Sequence, residues 1–384
     1  MAATAVSAAP AVTSAAARPP GYYVRQRLWQ NRPAVAGLAF IALCTLVALL
    51  GYWVLPDNSP NASHGFVQIQ KQAPGLRVEF LRRTLPDSAQ KPTSFLQTWL
   101  SGRPPKFEEI PIAAGSYGEM KADSVGFRPW TPADAPPAAA QQISDERVVH
   151  AKPFTRSYVL GTDKAGRDEL SRLLLGTRIS LGIGLVAVLI SLALGMAVGA
   201  VAGYFGGWVD SLLLGLMTVV WSIPGIMLVI AISLALDSKG VWVSFVAVGL
   251  TMWVDVARVV RGQMLSLRSA TFVEAGRVLG LPTWRLIAKH LLPNMRGPLI
   301  VLATSNFAAA ILLEAGLSFL GLGVQPPAPS WGLMVKEGYD LLGTEAGLWL
   351  TLLPGTAISL LVLSFNLLGN GLRDAYDPKT PVAA

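Results

Sequence analysis

Long uncharged stretches dominate the hydrophobic pattern of this chain. A helix needs about 20 apolar residues to cross the roughly 30 Å hydrocarbon core of a bilayer. No charged residue occurs in residues 33–55, 179–209, 211–236 or 346–372, and a further stretch that begins at residue 297 is uncharged until Glu314. Each of these five stretches predicts a membrane-spanning helix.

A sixth apolar stretch, residues 240–254, is only 15 residues long, a length that also fits a core helix of a soluble protein. We count it as a span because of segment 258–296, which holds seven Lys and Arg residues against one acid, Glu274. Arginines also precede the first stretch, and basic segments near spans tend to stay in the cytoplasm. Six spans place both basic segments on that side.

The predicted fold is therefore an all-α polytopic membrane protein with six transmembrane helices and a long extracytoplasmic insert between the first and the second. Its parts are a cytoplasmic N-terminal tail (1–32), the first span (33–55), the insert with an interfacial segment (56–178), a five-helix core (179–372) that contains the cytoplasmic loop 258–296, and a cytoplasmic tail (373–384). The first twenty residues are Ala-rich without a basic start, which indicates a disordered tail and not a signal peptide.

The external insert is too polar to enter lipid. Residues 56–156 contain 13 of the 27 prolines, so loop-rich structure is favoured, although residues 67–70 and 78–81 could be short strands. The insert could be a docking surface for a delivered solute or its carrier, or a passive elaboration. Its basic residues run against the charge rule for external segments, which long translocated loops largely escape; they are Arg156, Lys164, Arg167, Arg172 and Arg178.

The segment 161–178 carries leucines at helical spacing, Leu170, Leu173 and Leu174, which predicts a short amphipathic helix at the outer interface. It also imitates the glycine spacing of a phosphate-binding loop. However, Arg167 and Asp168 stand where that loop has its Lys and its Ser or Thr. A carboxylate there repels phosphate, so nucleotide binding is not predicted.

Two features of the apolar stretches concern helix packing. Gly195, Gly199 and Gly203 recur every fourth residue in the second stretch, a pattern that lets another helix approach closely. Pro224 lies in the middle of the third stretch and removes a backbone hydrogen bond, which predicts a kink.

Two helices with their own start and stop signals are predicted in the loop 258–296. Thr271 and Glu274 have the spacing of a capping box, and Gly280 stands where a left-handed C-terminal cap is needed. Thr283 then caps a second apolar helix, which Pro293 ends or kinks. The loop is thus a rigid elbow; this pattern favours a docking element over an ordinary connector.

Composition narrows the function. The chain has 384 residues, 52% hydrophobic and 14% charged, with a net charge of +8. In a soluble protein this charge would favour nucleic acid, but here the basic residues lie between apolar stretches and indicate topology, so no nucleic acid partner is predicted. The single cysteine, Cys44, excludes an intrachain disulfide and is predicted to pack as an apolar side chain.

No catalytic or metal pattern is present. His64, His150 and His290 are isolated in sequence, and no nucleophile elbow or HExxH occurs, so neither an enzyme, a metal nor a cofactor is predicted. Glu314 is the one acid in a long apolar stretch, which suggests either an intramembrane functional group or a carboxylate near the outer boundary. Asp255 is predicted to pair with Arg258.

The loop resembles a known motif. Glu274, Ala275 and Gly276, then Gly280, and then Leu292 with Pro293 are similar to the EAA loop of binding-protein-dependent ABC importer permeases. Two positions depart from the pattern: Gly276 replaces its second Ala, and His290 replaces an Ile.

The likeness spans residues 158–377 and is greatest for the second permease of the oligopeptide, dipeptide and nickel group. It rests on further segments in the same order: LGTD from Leu160, GRD from Gly166, GTRIS from Gly176, GYFGGWVD from Gly203 and EAGLSFLG from Glu314.

This resemblance implies a permease of the bacterial cytoplasmic membrane that moves peptides or related solutes by alternating access. Its partners would be a second permease, two cytoplasmic ATP-binding subunits and an extracytoplasmic binding protein. Glu274 and Gly280 would couple to the ATPase, and Ala275, Gly276, Leu292 and Pro293 would support the elbow. The alternative, an autonomous secondary transporter or channel, calls for several intramembrane charges and an internal repeat, and neither is evident.

Overall fold

A computed structural model describes residues 20–84, 94–118, 124–132, 135–144, 153–236 and 240–377. The N-terminal tail up to residue 19, His150 and the last seven residues lie outside this range. The helices are α1 (Pro20–Gln30), α2 (Arg32–Leu50), α3 (Phe95–Ser101), α4 (Glu169–Phe205), α5 (Gly207–Trp221), α6 (Gly225–Ala235), α7 (Val241–Thr251), α8 (Trp253–Leu267), α9 (Thr271–Val278), α10 (Thr283–Arg285), α11 (Leu292–Asn294), α12 (Arg296–Phe319), α13 (Trp331–Tyr339) and α14 (Glu345–Tyr376).

Five helical segments are long and apolar enough to cross a membrane: Arg32–Trp53, Glu169–Phe205, Val241–Leu267, Arg296–Phe319 and Glu345–Tyr376. A sixth is possible if α5 and α6 together form one span. They meet at a bend of 92° that includes Pro224, whose missing N–H and fixed φ prevent a continuous helix. The kink is therefore confirmed, and it is sharper than a typical proline kink.

Two helix starts and ends differ from the sequence-based bounds. The second span does not follow a separate interfacial helix: α4 runs unbroken from Glu169, so the predicted amphipathic helix is its first turns. The fourth continues through Arg258 and Arg261 to Leu267, so the loop after it is shorter than 258–296. The sequence-based bounds were placed at the first charged residue. A helix can continue beyond that point because its backbone hydrogen bonds are made within the helix, whether lipid or water surrounds it.

Close packing of α4 on α8 forms the centre of the bundle. A Cβ atom on Gly195 would lie 2.4 Å from Cβ of Val256, and one on Gly199 would lie 2.4 Å from the carbonyl oxygen of Ala257. A Cβ on Gly203 would lie 2.6 Å from Cβ of Met264. Any larger side chain would force the two helices apart, so the glycine stripe sets their distance.

The insert between α2 and α4 contains strands, so the chain is mostly helical and the all-α prediction is wrong for this part. Strand β1 (Leu76–Thr84) lies between β2 (Phe107–Ile112) and β5 (Phe154–Tyr158), antiparallel to both. Strands β3 (Ser124–Phe127) and β4 (Gln141–Ser144) form a separate antiparallel pair. The predicted short strand at 78–81 belongs to β1, whereas residues 67–69 form a 3-10 turn.

The side chains of β1 alternate between two apolar clusters, one on each face of the small sheet. Val78 and Phe80 pack on one side with Phe66 and Tyr158, and Leu81 packs on the other side against another cluster. Because successive side chains of a strand point to opposite faces, β1 supplies both small cores. Both sides are apolar only over these few residues, and the frequent prolines concealed the pattern in the sequence.

Candidate functional site

The elbow, residues 271–295, begins one residue earlier than the capping box predicts. Ala270 has the extended backbone of an N-cap, with ψ of 142°, and its carbonyl oxygen accepts from the amides of Val273 and Glu274. Thr271 is thus already the first helical residue and makes no capping hydrogen bond. Since a capping side chain must stand at the extended position, the Thr271–Glu274 box does not form.

The end of α9 is built as the sequence predicts. Gly280 has φ of +71°, the left-handed conformation that glycine adopts without steric cost. The amide of Leu281 donates to the carbonyl of Gly276 at 3.0 Å, and the amide of Gly280 donates to that of Arg277 at 2.9 Å. These two bonds are a Schellman motif, which satisfies the last carbonyls and fixes the direction of the turn.

The second leg of the elbow is less regular than predicted. Pro282 has the N-cap position, so Thr283 is a first helical residue without a capping bond. After α10 the helix widens into a π-helical turn, Leu286–Leu291, before α11. Pro293 has no amide to give to a preceding carbonyl, and π turns accommodate such interruptions.

Gly276 lets the two legs meet. A Cβ atom at this position would lie 2.6 Å from Cδ2 of Leu286 and 3.4 Å from Cδ1 of Leu281. Leu286 is buried at 1% exposure and is held by this contact. The glycine that departs from the EAA pattern therefore has a packing reason in this chain.

The inner side of the elbow is anchored to α4 and α8. Val273, Leu291 and Met295 are buried in one cluster with Val260 and Met264 of α8. The guanidinium of Arg277 also lies 5.3 Å from the ring centre of Tyr204, near the end of α4. Movement of the elbow must therefore be accompanied by movement of these two helices.

The outer side of the elbow is apolar and uncovered. Four large side chains stand out, and we name them the apolar crown: Phe272 (44% exposed), Val278 (88%), Leu279 (79%) and Trp284 (62%). Glu274 and Ala275 are also exposed on α9, while Leu292 and Pro293 are half-buried. Exposed clusters of this kind mark sites of protein association. In the sequence the crown residues are apolar positions of a basic loop, and nothing there distinguishes them from the apolar residues that the elbow buries.

A second site, made of charged side chains, lies around the start of α4. The buried ion cluster consists of Asp163, Arg167, Arg172 and Glu337. Nε of Arg167 contacts Oδ2 of Asp163 at 2.6 Å, and NH1 of Arg172 contacts both Asp163 and, at 2.7 Å, Oε2 of Glu337. The cluster ties the loop after β5 to α4 and to α13, a helix that the sequence did not indicate.

The ion cluster explains two features of the sequence, the basic residues near the end of the insert and the imitation of a phosphate-binding loop. Arg167 and Arg172 are buried against carboxylates, so they do not act as free positive charges outside the membrane. The imitation phosphate loop is also internal: the carboxylate of Asp163 accepts from the amides of Ala165 and Arg167. Burial alone would raise the pKa of Asp163, but the charges of Arg172 and Arg167 outweigh it and hold that pKa below its ordinary value.

Asp168, the other acid of that loop, caps α4. Its carboxylate accepts from the amide of Ser171 at 2.8 Å, and burial raises its pKa. The Ser171 hydroxyl in turn accepts from the amide of Asp57 at 2.9 Å, which connects the insert to the helix start. The residues that resemble a nucleotide site are therefore structural.

Glu314 lies inside the bundle and not at an exposed boundary. It is 1% exposed, and Oε1 accepts from the Ser318 hydroxyl at 2.7 Å. Ser318 also accepts from the amide of Val324 and lies 3.4 Å from the Ser330 hydroxyl, which caps α13. The carboxylate thus joins the end of α12 to the start of α13.

The predicted pair between Asp255 and Arg258 does not form. Arg258 instead lies with its guanidinium 4.4 Å from the ring centre of Trp221, a cation–π contact, and Asp255 is exposed. A pair that the sequence did not indicate joins α5 to α8: NH2 of Arg261 donates to Oδ2 of Asp210 at 2.7 Å.

The described residues contain no metal-binding cluster, and the one cysteine lies in an apolar environment. No group of three or more His, Cys, Asp or Glu is placed there to hold a metal ion. Cys44 is buried in an apolar cluster with Phe365 and Ile358, as predicted. His64 lies 3.7 Å from Glu109, and His290 is exposed on the elbow.

Two parts of this chain match known protein families. Residues 195–381, which include the whole elbow, match the inner membrane component of binding-protein-dependent transport systems. Residues 20–74 match the N-terminal transmembrane domain of oligopeptide transport permease C. The two matches thus cover the first candidate span and the helical core from the last third of α4 onward.

Individual relatives are similar over most of their own length. The chain is 41% identical over 227 residues to a dipeptide transport system permease of Bacillus subtilis, covering 59% of this chain and 70% of that protein. It is 40% identical over 241 residues to an oligopeptide transport system permease of Escherichia coli K12, covering 62% and 79%. A structure of the MetNI methionine ABC transporter aligns over 54% of this chain and 98% of that chain at 18% identity and a TM-score of 0.45.

A component of such a system works with ATPase and binding-protein partners, and ATP hydrolysis resides in the partner subunits and not in this chain. The chain belongs to the inner membrane permeases of binding-protein-dependent ABC importers, and within them to the second-permease type.

Proposed function

We propose that the elbow is the surface through which partner ATPases drive this permease, and that the cargo is a short peptide or a related small solute. The observation that carries the proposal is the apolar crown, which stands around Glu274 on a rigid elbow. A hydrophobic centre with a polar group beside it is the usual composition of a protein interface.

The anchoring of the elbow supports a coupling role. A displacement of the crown is transmitted to α4 and α8 through the buried contacts of Val273 and Leu291. The Schellman turn at Gly280 and the close contact at Gly276 prevent the two legs from bending independently. Closure of the ATPases would therefore turn α4 and α8 as one unit, which is what alternating access requires. Glu274 and Gly280 are the coupling residues of this proposal, with Ala275, Gly276, Leu292 and Pro293 in support.

The proposed assembly contains a second, similar permease, two cytoplasmic ATP-binding subunits and an extracytoplasmic binding protein. In the proposed orientation α5 and α6 form one of six spans, the elbow faces the cytoplasm, and the insert faces outside. The excess of basic residues on the elbow supports this orientation, because such segments stay on the cytoplasmic side. A peptide cargo is supported by the names of the relatives, a dipeptide permease and oligopeptide permeases.

Purification of the tagged protein from its native membranes in mild detergent, with its partners identified by mass spectrometry, tests the assembly. We expect two ATP-binding subunits and one second permease for each copy of this chain. A stable complex of this chain alone would contradict the proposal.

A crown variant tests the docking surface itself. Val278→Ser with Leu279→Ser removes the two most exposed apolar side chains of the crown and should lower recovery of the ATP-binding subunits at least about tenfold. The matched control is Val67→Ser with Val159→Ser, which removes two exposed apolar side chains of the insert. Equal recovery with both variants would show that the crown is not the docking surface.

A further inference from the structure

The short helix α3 is fixed at the end of the first candidate span. The indole Nε1 of Trp99 donates to the carbonyl oxygen of Leu49, in the last turn of α2, at 2.7 Å. The guanidinium of Arg178, on α4, lies 4.5 Å from the centre of the Trp99 ring and donates to its backbone oxygen. α2 and α4 thus hold α3 beside the C-terminal end of the first candidate span.

The uncovered side of α3 is apolar. Phe95 (70% exposed), Leu96 (60%) and Leu100 (52%) all stand out from it, and Trp53 (59%) extends the same surface from the end of the span. The rings of Trp53 and Phe95 meet edge to face, with 5.4 Å between their centres. Such a surface is costly in water, whereas a helix lying in the interface buries it among lipid chains.

Two cavities lie next to Trp53, at one edge of this surface. One, of about 420 Å³, is lined by Tyr52, Trp53, Leu55, Asn58, Thr98 and Arg103. The other, of about 370 Å³, shares Asn58 and Arg103 with it and extends to Lys106 in the insert. Tyr52, Trp53 and Leu55 form the apolar part of the first cavity, while the second is lined mostly by polar and charged residues. Because the two cavities share Asn58 and Arg103, they connect Trp53, at the edge of the apolar surface, to the charged residues of the second cavity.

The charges of the second cavity do not balance. Both of its acids are already engaged: Asp57 accepts from the amides of Ser59 and His64, and Glu109 contacts Arg156 at 2.8 Å and Arg82 at 3.2 Å. The side chains of the other two cations, Arg103 and Lys106, make no hydrogen bond or ion pair with any described residue. The cavity therefore offers two positive groups at its polar end.

We propose that this site binds an anionic phospholipid: Arg103 and Lys106 contact the headgroup phosphate, and the chains lie along Phe95, Leu96, Leu100 and Trp53. The apolar surface is connected to the cationic end through Trp53 and the two cavities, next to the end of the first candidate span, and this is the arrangement of a phospholipid molecule. The insert is then held on the bilayer by α3. That the leaflet is the outer one depends on the orientation proposed above; the site itself does not.

The depth of α3 can be measured with a single spin label in the assembled transporter in lipid. Cys44 is the only cysteine of this chain, so Cys44→Ala, assembled with cysteine-free partner subunits, gives a background for Leu96→Cys on α3 and for Val67→Cys, a 76% exposed control on the insert. We expect the label at position 96 to be accessible to oxygen and shielded from a water-soluble nickel complex, and the label at position 67 to show the reverse. Equal exposure of both labels to the nickel complex would overturn the proposal.

Lipid selectivity tests the cationic end. Native mass spectrometry of the transporter, loaded with equal phosphatidylglycerol and phosphatidylcholine, should show preferential retention of phosphatidylglycerol. Arg103→Ala with Lys106→Ala should lower that preference about tenfold or more, because each cation near an anionic membrane surface contributes about fivefold. Arg77→Ala with Arg128→Ala removes two exposed arginines of the insert outside the cavities, and should leave the preference unchanged.

Two results would refute the lipid assignment. One is an unchanged preference in the Arg103→Ala, Lys106→Ala variant. The other is displacement of the retained lipid by soluble glycerol phosphate in excess, because a headgroup analogue without chains cannot occupy the surface of α3. That second outcome would identify a site for a free anion.

Discussion

The elbow and the buried ion cluster both contain charged residues of both signs, yet the structure uses them in opposite ways. In the ion cluster, arginines and carboxylates are withdrawn from solvent and satisfy one another between the loop, α4 and α13. In the elbow, the charges remain in water and the apolar crown is left uncovered. A site that closes on itself holds the fold together, whereas a site with an unsatisfied apolar surface needs a partner. The two sites should therefore respond differently to mutation.

Removal of Arg172 should have the largest effect. Arg172→Met leaves Asp163 and Glu337 buried without one of their two buried cations, and breaking such a pair costs about 3–5 kcal/mol. We expect a large loss of thermal stability, measured as the unfolding temperature of the detergent-solubilised protein by size-exclusion chromatography after heating. Arg128→Met, at an exposed arginine of the insert, should not change it. If the two variants unfold at the same temperature, the cluster does not hold the fold.

Charge reversal on the elbow should abolish transport without destabilising the fold. Glu274 is exposed, so Glu274→Lys should leave insertion and unfolding temperature unchanged. A lysine at the edge of the proposed interface should abolish transport in membrane vesicles and lower recovery of the ATP-binding subunits at least about tenfold.

Glu108→Lys is the matched reversal, at an exposed glutamate of the insert. It should transport normally. Normal transport by the Glu274→Lys variant would remove this residue from the coupling role.

A smaller effect is expected at the contact between the two legs. Gly276→Ala gains about 1 kcal/mol of helix propensity but must displace Leu286, and overpacking costs about 1–3 kcal/mol. We expect a small net loss of stability and a reduced transport rate per ATP hydrolysed. Leu286→Val makes room, so the alanine should cost less in that background. Equal costs in both backgrounds would show that the 2.6 Å approach to Leu286 is not the cause.

The smallest effect near neutral pH concerns Asp163. Its pKa is lowered in the folded protein, so its carboxylate stabilises the fold above the pKa of the unfolded chain, about 3.9. That stability is lost as the pH falls through the lowered pKa. The unfolding temperature should therefore change little through Asp163 between pH 7 and 5, and fall below about pH 4. The unfolding temperature of the Asp163→Asn variant should depend less on pH in the acid range. An identical pH profile in the two proteins would mean that the pKa of Asp163 is not lowered by the fold.

Local sequence signals were reliable where one residue type decides a local geometry. Gly280 has the left-handed backbone and the Schellman bonds, and Pro224 stands at the sharp bend. They were unreliable where a neighbour could do the same task. Ala270 and Pro282 have the extended backbone of N-caps, so Thr271 and Thr283, each one residue later, do not cap. Only the backbone path decides between adjacent positions.

The sequence by itself determined the membrane class, the candidate spans, the packing stripe of α4 and the presence of an elbow. These depend on composition and on short periodicities, which solvent and backbone geometry select directly. The tertiary structure alone decided which charges are buried and which apolar side chains are exposed. Arg172 and Glu337 are 165 positions apart and meet only because α4 packs on α13. The same holds for the crown: its residues are ordinary in sequence, and only the buried side of the elbow shows which side remains for a partner.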